Sequence, residues 1–303
     1  MRLFSLCLGL VCCIVIKAQA QPEIIADTLR PAEERIQNAI DQMTLEEKVR
    51  LCFGGERFGE VVLPGVPRLE IGPIYAADGP RGVRAGDVTV FPSGIGLAAT
   101  WNPQLVEQTG QVIGSESRAR GIGMVFGPAF NINRDPLGGR FFEYLTEDPY
   151  LNGKLAAAQV RGMQREGVSA CIKHFAVNSR DLNRNWYMSR VDERTLREIY
   201  LRGYEIAVKE ADPWGCMTAA NGLNGELCSD NEWLLNEVLK KEWGFKGLVL
   251  TDFCHSRSTV KAALAGLDID MPWGDFETIL FGKPLMEAVE RGEVPEAVLN
   301  EMV

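Results

Sequence analysis

Histidine is almost missing from this sequence. His174 and His255 are the only two among 303 residues, so a zinc centre built from three histidines is excluded. Any imidazole relay must use one of these two. Cysteine is present without a pattern. Cys7, Cys12 and Cys13 sit near the N-terminus, leaving Cys52, Cys171, Cys216, Cys228 and Cys254, an odd set without CxxC spacing. That is neither a disulfide framework nor a zinc site, although the count leaves room for one disulfide between an unspecified pair. Cys171 and Cys216 lie in apolar runs and read as small buried hydrophobes. Basic charge is in deficit, with 32 Lys and Arg against 41 Asp and Glu and a net charge of −9. Such a chain is a poor general partner for nucleic acid or an anionic membrane. No strand candidate is followed by GxGxxG, and there is no low-complexity tract.

The longest apolar run, Leu3–Ile16, is too short to cross a bilayer comfortably. Arg2 precedes it and Ala18-Gln19-Ala20 follows in the small-x-small form of a signal-peptidase site. Residues 1–20 are therefore expected to be a signal peptide, placing residues 21–303 in a secreted or periplasmic location, free of the membrane after cleavage. A lipid anchor is a poor fit, because Cys13 is preceded by Val11-Cys12 rather than by a small residue.

What remains is an ordinary globular balance, 46% hydrophobic and 24% charged, enough for one large core. Two helices are predicted first, Pro31–Met43 and Thr44–Cys52. Thr44 with Glu47 three residues on forms a capping-box pattern. Short apolar strand candidates follow at Ile74–Ala77, Ile95–Ala99, Met124–Phe126, Ala170–Lys173, Gly215–Thr218, Leu248–Thr251 and Leu267–Met271. Helical patterns lie between most of them, at Pro103–Ala119, Tyr150–Glu166, Glu193–Glu210, Glu232–Trp243 and Ser258–Ala265, and a last one at Val294–Val303. Alternating strands and helices imply a parallel sheet with helical crossovers. The fold class is α/β, and the length of the rhythm fits a TIM-type (β/α)8-like barrel, with a doubly wound sheet as the alternative.

A parallel barrel collects its chemistry where strands end. Asp78, the adjacent Lys173 and His174, Met217 and Asp252 all close strand candidates. The run Gly247-Leu-Val-Leu-Thr-Asp252 delivers a carboxylate on a rigid element, as a nucleophile or base requires, although a lone Asp there also serves as a helix cap. Lys173 and His174 supply two donors that could grip hydroxyls or a carboxylate. Lys is rarely buried unpaired, which argues against a purely structural role. Asp78-Gly-Pro-Arg-Gly-Val-Arg84 is a tight turn whose carboxylate could accept two hydroxyls or simply close an Asx-turn. Gly138-Gly-Arg140-Phe-Phe-Glu143 carries one guanidinium and one carboxylate that could merely pair with each other. Trp186 and Trp273 are the tryptophans nearest these clusters and the best candidates for stacking on a sugar ring.

Seven segments in order resemble glycoside hydrolase family 3. The run Lys240-Lys-Glu-Trp-Gly-Phe-Lys-Gly-Leu-Val-Leu-Thr-Asp252 looks like its nucleophile signature. The others are Asp78-Gly-Pro-Arg-Gly-Val-Arg, Asn133-Arg-Asp-Pro-Leu-Gly-Gly-Arg140, Glu147-Asp-Pro-Tyr-Leu, Lys173-His-Phe, Val191-Asp-Glu-Arg-Thr-Leu-Arg-Glu and Ala265-Gly-Leu-Asp-Ile-Asp-Met-Pro272. The resemblance spans about residues 32 to 300. The resemblance implies the N-terminal catalytic barrel of a β-glucosidase-like enzyme, residues 21–303, that hydrolyses terminal β-linked sugars with retention. Its substrate would be an oligosaccharide or aryl β-glycoside, and no cofactor or metal is implied. By the resemblance Asp252 is the nucleophile. Asp78, Arg140, Lys173, His174 and Arg184 bind the hydroxyls of the sugar, and Met217 lines the pocket.

This sequence departs from the family pattern in three places. Met217-Thr-Ala-Ala-Asn221 has Ala220 where a tyrosine that orients the nucleophile is usual. His255 replaces a small residue three positions after Asp252. Lys173-His-Phe-Ala-Val-Asn178 lacks the pattern of the β-N-acetylglucosaminidase branch. In the β-glucosidase-like branch the general acid/base is a glutamate from a second α/β sandwich domain, expected to be absent here because the chain stops at Val303. Glu143, Glu147 and Glu226 are the candidates within the chain, each with a structural reading that fits it better. Two rival functions stand beside hydrolysis: a sugar-binding barrel without turnover, and a Schiff-base lyase using Lys173.

Overall fold

The computed structural model describes residues 28–303 except 58, 59 and 273, with the backbone alone at 56, 57 and 60. The expected signal peptide and Trp273 lie outside the described residues. The chain opens with two helices, Ala32–Gln42 and Leu45–Leu51. The second is capped as its sequence predicts: Glu47 N donates to Thr44 Oγ1 and Thr44 N to Glu47 Oε2.

Seven strands follow one another across one sheet in chain order. They are β1 (Gly55–Arg57), β2 (Glu60–Leu63), β3 (Ile74–Asp78), β4 (Ile122–Ala129), β5 (Ser169–Phe175), β6 (Gly215–Thr218) and β7 (Leu248–Leu250). From β3 to β7 every pairing is parallel. β2 runs antiparallel to both its neighbours. This departs from a strict (β/α)8 alternation, and connection length explains it. Two residues separate β1 from β2, which allows only a hairpin neighbour, whereas parallel neighbours need a dozen or more.

The sheet curls until its edges approach one another. Residues 269 and 270 bridge in parallel fashion to Leu250 on one side and to Phe53, just before β1, on the other. Thr251 N donates to Ile269 O at 3.1 Å and Gly54 N to Asp270 O at 2.8 Å. The predicted strand Leu267–Met271 is thus a short bridging segment.

Side chains alternate across this curled layer, as strand geometry demands. Leu63, Ala76, Met124, Phe126, Cys171, Met217, Leu250, Ile269 and Met271 form one apolar cluster. Their chain neighbours Ala77, Val125, Ala170, Ile172, Cys216 and Val249 belong to the larger core, which also takes in the helices. The crossovers are Pro103–Ala119, Pro149–Arg165, Arg202–Ala211 and Val260–Ala265, with π-type hydrogen bonding at Leu196–Tyr200 and Trp233–Glu242. Met302 and Leu299, on the last helix Glu296–Met302, join the same core.

One strand expectation fails. Ile95–Ala99 is part of a helix, Gly94–Ala98. Ser93 caps it through Gly96 N, and the buried residues Gly94, Leu97 and Ala98 recur at helical spacing. The tight approach of Gly94 to the Tyr144 backbone leaves no room for a side chain there. All five described cysteines are free: Cys52, Cys171, Cys216 and Cys228 are buried and Cys254 is exposed. The disulfide that the count allows is therefore not formed.

Candidate active site

The polar residues at the strand ends converge. Asp78 is the last residue of β3, Lys173 and His174 lie near the end of β5, and Asp252 follows β7 by two residues. Arg140 comes from the loop after β4 and Arg184 from the loop after β5. Asp78 is presented by its turn, in which Arg84 N donates to Asp78 O at 2.8 Å. Gly82 in that turn has φ +121° and packs against the Thr89 carbonyl, a conformation that L side chains rarely adopt.

Lys173 is only 3% exposed and is not left alone. Its ammonium donates to Asp78 Oδ1 and lies 4.0 Å from Glu143 Oε2. Arg140 Nε in turn donates to Glu143 Oε1, and Arg84 Nη1 stands 3.5 Å from Asp78 Oδ2. Burial raises the Asp78 carboxyl, but Lys173, Arg84 and Arg140 outweigh it and hold it below its ordinary value. Burial likewise works against the Arg140 charge, and Tyr144, Glu143, Asp252 and Asp181 outweigh it, so the guanidinium stays firmly protonated.

His174 Nε2 lies 4.0 Å from Asp252 Oδ2, and Nδ1 is 3.3 Å from the Tyr144 hydroxyl. Burial, followed by the charges of Arg140, Lys173 and Arg184, drives the imidazole well below its usual pKa. His174 is therefore neutral at physiological pH and meets Asp252 as a dipole rather than as a cation. Its backbone is fixed by Asn131, which donates Nδ2 to His174 O at 2.8 Å and accepts His174 N at 2.9 Å. Tyr204 adds a third bond to the same carbonyl at 3.0 Å.

The Asp252 side chain is nearly buried. Oδ1 accepts Phe253 N at 2.8 Å, while Oδ2 has no hydrogen-bond partner. The Ala220 methyl cannot supply one. Arg140 Nη1, Asn178 Nδ2 and His255 Nδ1 are also buried and unpartnered. Unpaired buried polar atoms are costly in a folded protein unless water or a ligand completes their bonding. Two cavities share Asp78 and Arg84: one of about 730 Å³ bounded also by Phe126 and Phe253, and one of about 550 Å³ bounded by Arg140 and Glu143. Asp252 belongs to neither wall, although Phe253 beside it does; the convergence of polar side chains locates the centre better than the cavities do.

The predicted residues are thus brought together with two qualifications. Arg184 donates to Asp181 at 3.1 Å and reaches the centre through its effect on His174 and His255. Met217, expected to line the pocket, is 2% exposed inside the apolar cluster of the curled sheet. Trp186 is 81% exposed at the loop tip. Asn131, Tyr144 and Asn178 are participants that the sequence did not point to, since uncharged polar residues carry no anomaly of composition or spacing.

The three glutamates considered as acids are placed apart from Asp252 or paired with basic residues. Glu143 is buried between Arg140 and Lys173, Glu226 pairs with Lys261 at 2.7 Å, and Glu147 lies on a different cavity with Trp101 and Arg134.

Comparison with known proteins shows which family the chain falls in. The sequence profile described as "Glycosyl hydrolase family 3 N terminal domain" matches residues 67–303. The thermostable beta-glucosidase B of Acetivibrio thermocellus is 44% identical over 281 residues, 88% of this chain and 36% of that protein. An exo-alpha-(1->6)-L-arabinopyranosidase of Bifidobacterium breve is 37% identical over 278 residues, 87% of this chain and 36% of that protein. The structure of beta-glucosidase 3B from Thermotoga neapolitana in complex with glucose superimposes with a TM-score of 0.83 at 42% identity, covering 88% of this chain and 41% of that one. The chain spans little more than a third of the length of these curated relatives. It belongs to glycoside hydrolase family 3.

Proposed function

We propose that this chain carries the nucleophile half of a retaining β-glycosidase, acting on terminal β-linked sugars in carbohydrate breakdown. The observation that carries the reading is Asp252 Oδ2, buried and unpartnered beside a neutral His174 and the Lys173–Asp78 and Arg140–Glu143 pairs. Asp252 attacks the anomeric carbon as the bond to the leaving oxygen breaks and that oxygen takes a proton. Water then attacks the glycosyl–Asp252 ester, releases the sugar and regenerates the carboxylate. Asp78, Lys173, Arg140, His174 and Arg184 hold the sugar hydroxyls. The ring of β1–β7 with residues 269–270 is read as the eight-membered barrel, its second member reversed, within a domain of residues 21–303 that is secreted or periplasmic once residues 1–20 are removed.

Glu143 and Glu226 are each held by a basic partner and Glu147 lines a different cavity, so none of the three is read as the proton donor. We place it in a part of the enzyme corresponding to the stretch of the relatives that this chain does not span. Without it, natural glycosides lose a factor of about 10²–10⁴ in rate, and glycosides with acidic aryl leaving groups lose least.

The test is intact mass after incubation with a 2-deoxy-2-fluoro glycoside carrying a good leaving group, across glucosides, xylosides and L-arabinopyranosides. An added sugar mass that maps to Asp252 and vanishes in Asp252→Asn is the expected result. Saturable sugar binding with no adduct would instead favour a binding barrel, a reading to which Ala220 lends some support. Borohydride trapping of a carbonyl compound on Lys173 would establish the lyase.

A further inference from the structure

The segment after Asp252 is tied to the segment after Arg184 by two side-chain contacts. His255 Nε2 lies 2.7 Å from Asn185 Oδ1, and the Arg257 guanidinium sits over the Trp186 ring, 5.5 Å from its centroid. His255 is itself close to the reacting carboxylate, since its backbone N donates to Asp252 O at 3.3 Å. His255 is 6% exposed and Asn185 is exposed, so the contact is half-buried and ties the loop's surface to the interior.

The Arg184–Trp186 loop is braced throughout. Trp186 N donates to Asn183 O at 2.9 Å, forming its turn, and Arg184 Nη1 reaches Asp181 at 3.1 Å. Tyr187 closes the far side by donating to Asn178 Oδ1 at 3.3 Å and lying 3.4 Å from Asn221 Oδ1, with Arg180 over its ring. A loop held at this many points does not leave Trp186 exposed through slackness. The indole is 81% exposed, and with Arg257 on one side its other side is open. A flat apolar surface fixed in this way suits the face of a pyranose or an aromatic ring.

We propose that Trp186 is the stacking platform for the leaving-group ring of the glycoside. Arg257 and the His255–Asn185 pair are the positioning residues that hold it near Asp252. The inference rests on the reading of Asp252 as nucleophile, and it assigns to this loop the discrimination among leaving groups.

The experiment uses the full chain carrying Asp252→Asn, so that nothing turns over. Dissociation constants are measured for phenyl β-D-glucoside, cellobiose and methyl β-D-glucoside, which share one sugar and differ in the leaving group. Trp186→Ala is expected to weaken the phenyl glucoside by about 2- to 10-fold and the methyl glucoside by less than about twofold. A parallel loss for cellobiose assigns the platform to sugar rings as well as aryl groups; no loss there restricts it to aryl groups. Trp186→Phe restores most of the affinity. Arg257→Ala and His255→Ala give the same selective loss, and His255→Gln, which can still donate to Asn185, recovers it. Equal weakening of the phenyl and methyl glucosides, or none, overturns the inference and leaves the nucleophile reading intact. Failure of the folded Asp252→Asn chain to bind any of the three overturns both.

Discussion

Replacing Lys173 with methionine isolates the charge at the centre of the site. The ammonium is buried against Asp78 and lies 4.0 Å from Glu143, and methionine keeps the bulk without the charge. Removing one partner from a buried pair costs about 3–5 kcal/mol. Two features reduce this here: the Asp78 carboxylate is 35% exposed, so water screens it, and Glu143 retains Arg140. The expected loss is about 2–3 kcal/mol at pH 7. The sign of its pH dependence follows from Asp78. Burial pushes this carboxyl up, Lys173 leads the charges that bring it below 3.8, and the net effect is a lowered value. Such a group contributes stability in full above its unfolded pKa and loses it as pH falls through the folded one. In Lys173→Met, burial is opposed only by Arg84 and Arg140, so the stabilising contribution shrinks or reverses at neutral pH. Urea unfolding followed by tryptophan fluorescence should show the gap between the two proteins narrowing from pH 7 to pH 3. Equal stability at pH 7, or a gap independent of pH, would refute the reasoning.

Two further changes test the frame around the site. Burial raises Asp270 to about 6, against the hydrogen bonds from Thr251 and Met271 N, so its charge costs stability as pH rises from 3.8 through 6. Asp270→Asn should therefore stabilise the fold by about 2–3 kcal/mol at pH 8 and by nothing at pH 3, and a gain that does not change with pH in urea unfolding would contradict this. Asn131→Ala removes both side-chain bonds to the His174 backbone and should cost about 2–3 kcal/mol while weakening glycoside binding; a melting curve and an affinity matching the unsubstituted protein would show that Tyr204 alone holds His174.

Elements with strong local signals are where sequence and structure agree. Pro103–Ala119 begins and ends as its pattern predicts, because Asn102 caps it and Pro103 suits a first turn. The capping box at Thr44 is equally local. Ile95–Ala99 departs from the strand expectation because a five-residue apolar run broken by Gly96 has no clear periodicity of its own, and the Ser93 cap decides it. β1 and β2 were missed because Gly55–Arg57 and Glu60–Leu63 are too short for alternation to register; the sheet recruits them through tertiary pairing. The helix Lys283–Glu290 was missed for a similar reason, its buried residues Leu285 and Ala288 making too small a stripe.

The charged residues at the strand ends are conspicuous in the sequence because charge is expensive there. An aspartate at the end of Leu-Val-Leu, or a lysine inside Ala-Cys-Ile-Lys, has no place in a buried parallel strand unless something there needs it. The structure meets that need by pairing Lys173 with Asp78 and Arg140 with Glu143, and by holding His174 neutral. What stayed hidden was work done by neutral or surface groups. Asn131 orders His174 across 43 residues of chain, and Asn185 meets His255 across 70. Neither partner is anomalous where it stands; Asn131 acquires its role where β4 pairs beside β5, and Asn185 where the segments after β5 and β7 reach the same rim. The charged half of the site follows from the strands one by one, and the half that positions it follows from how their ends are set side by side.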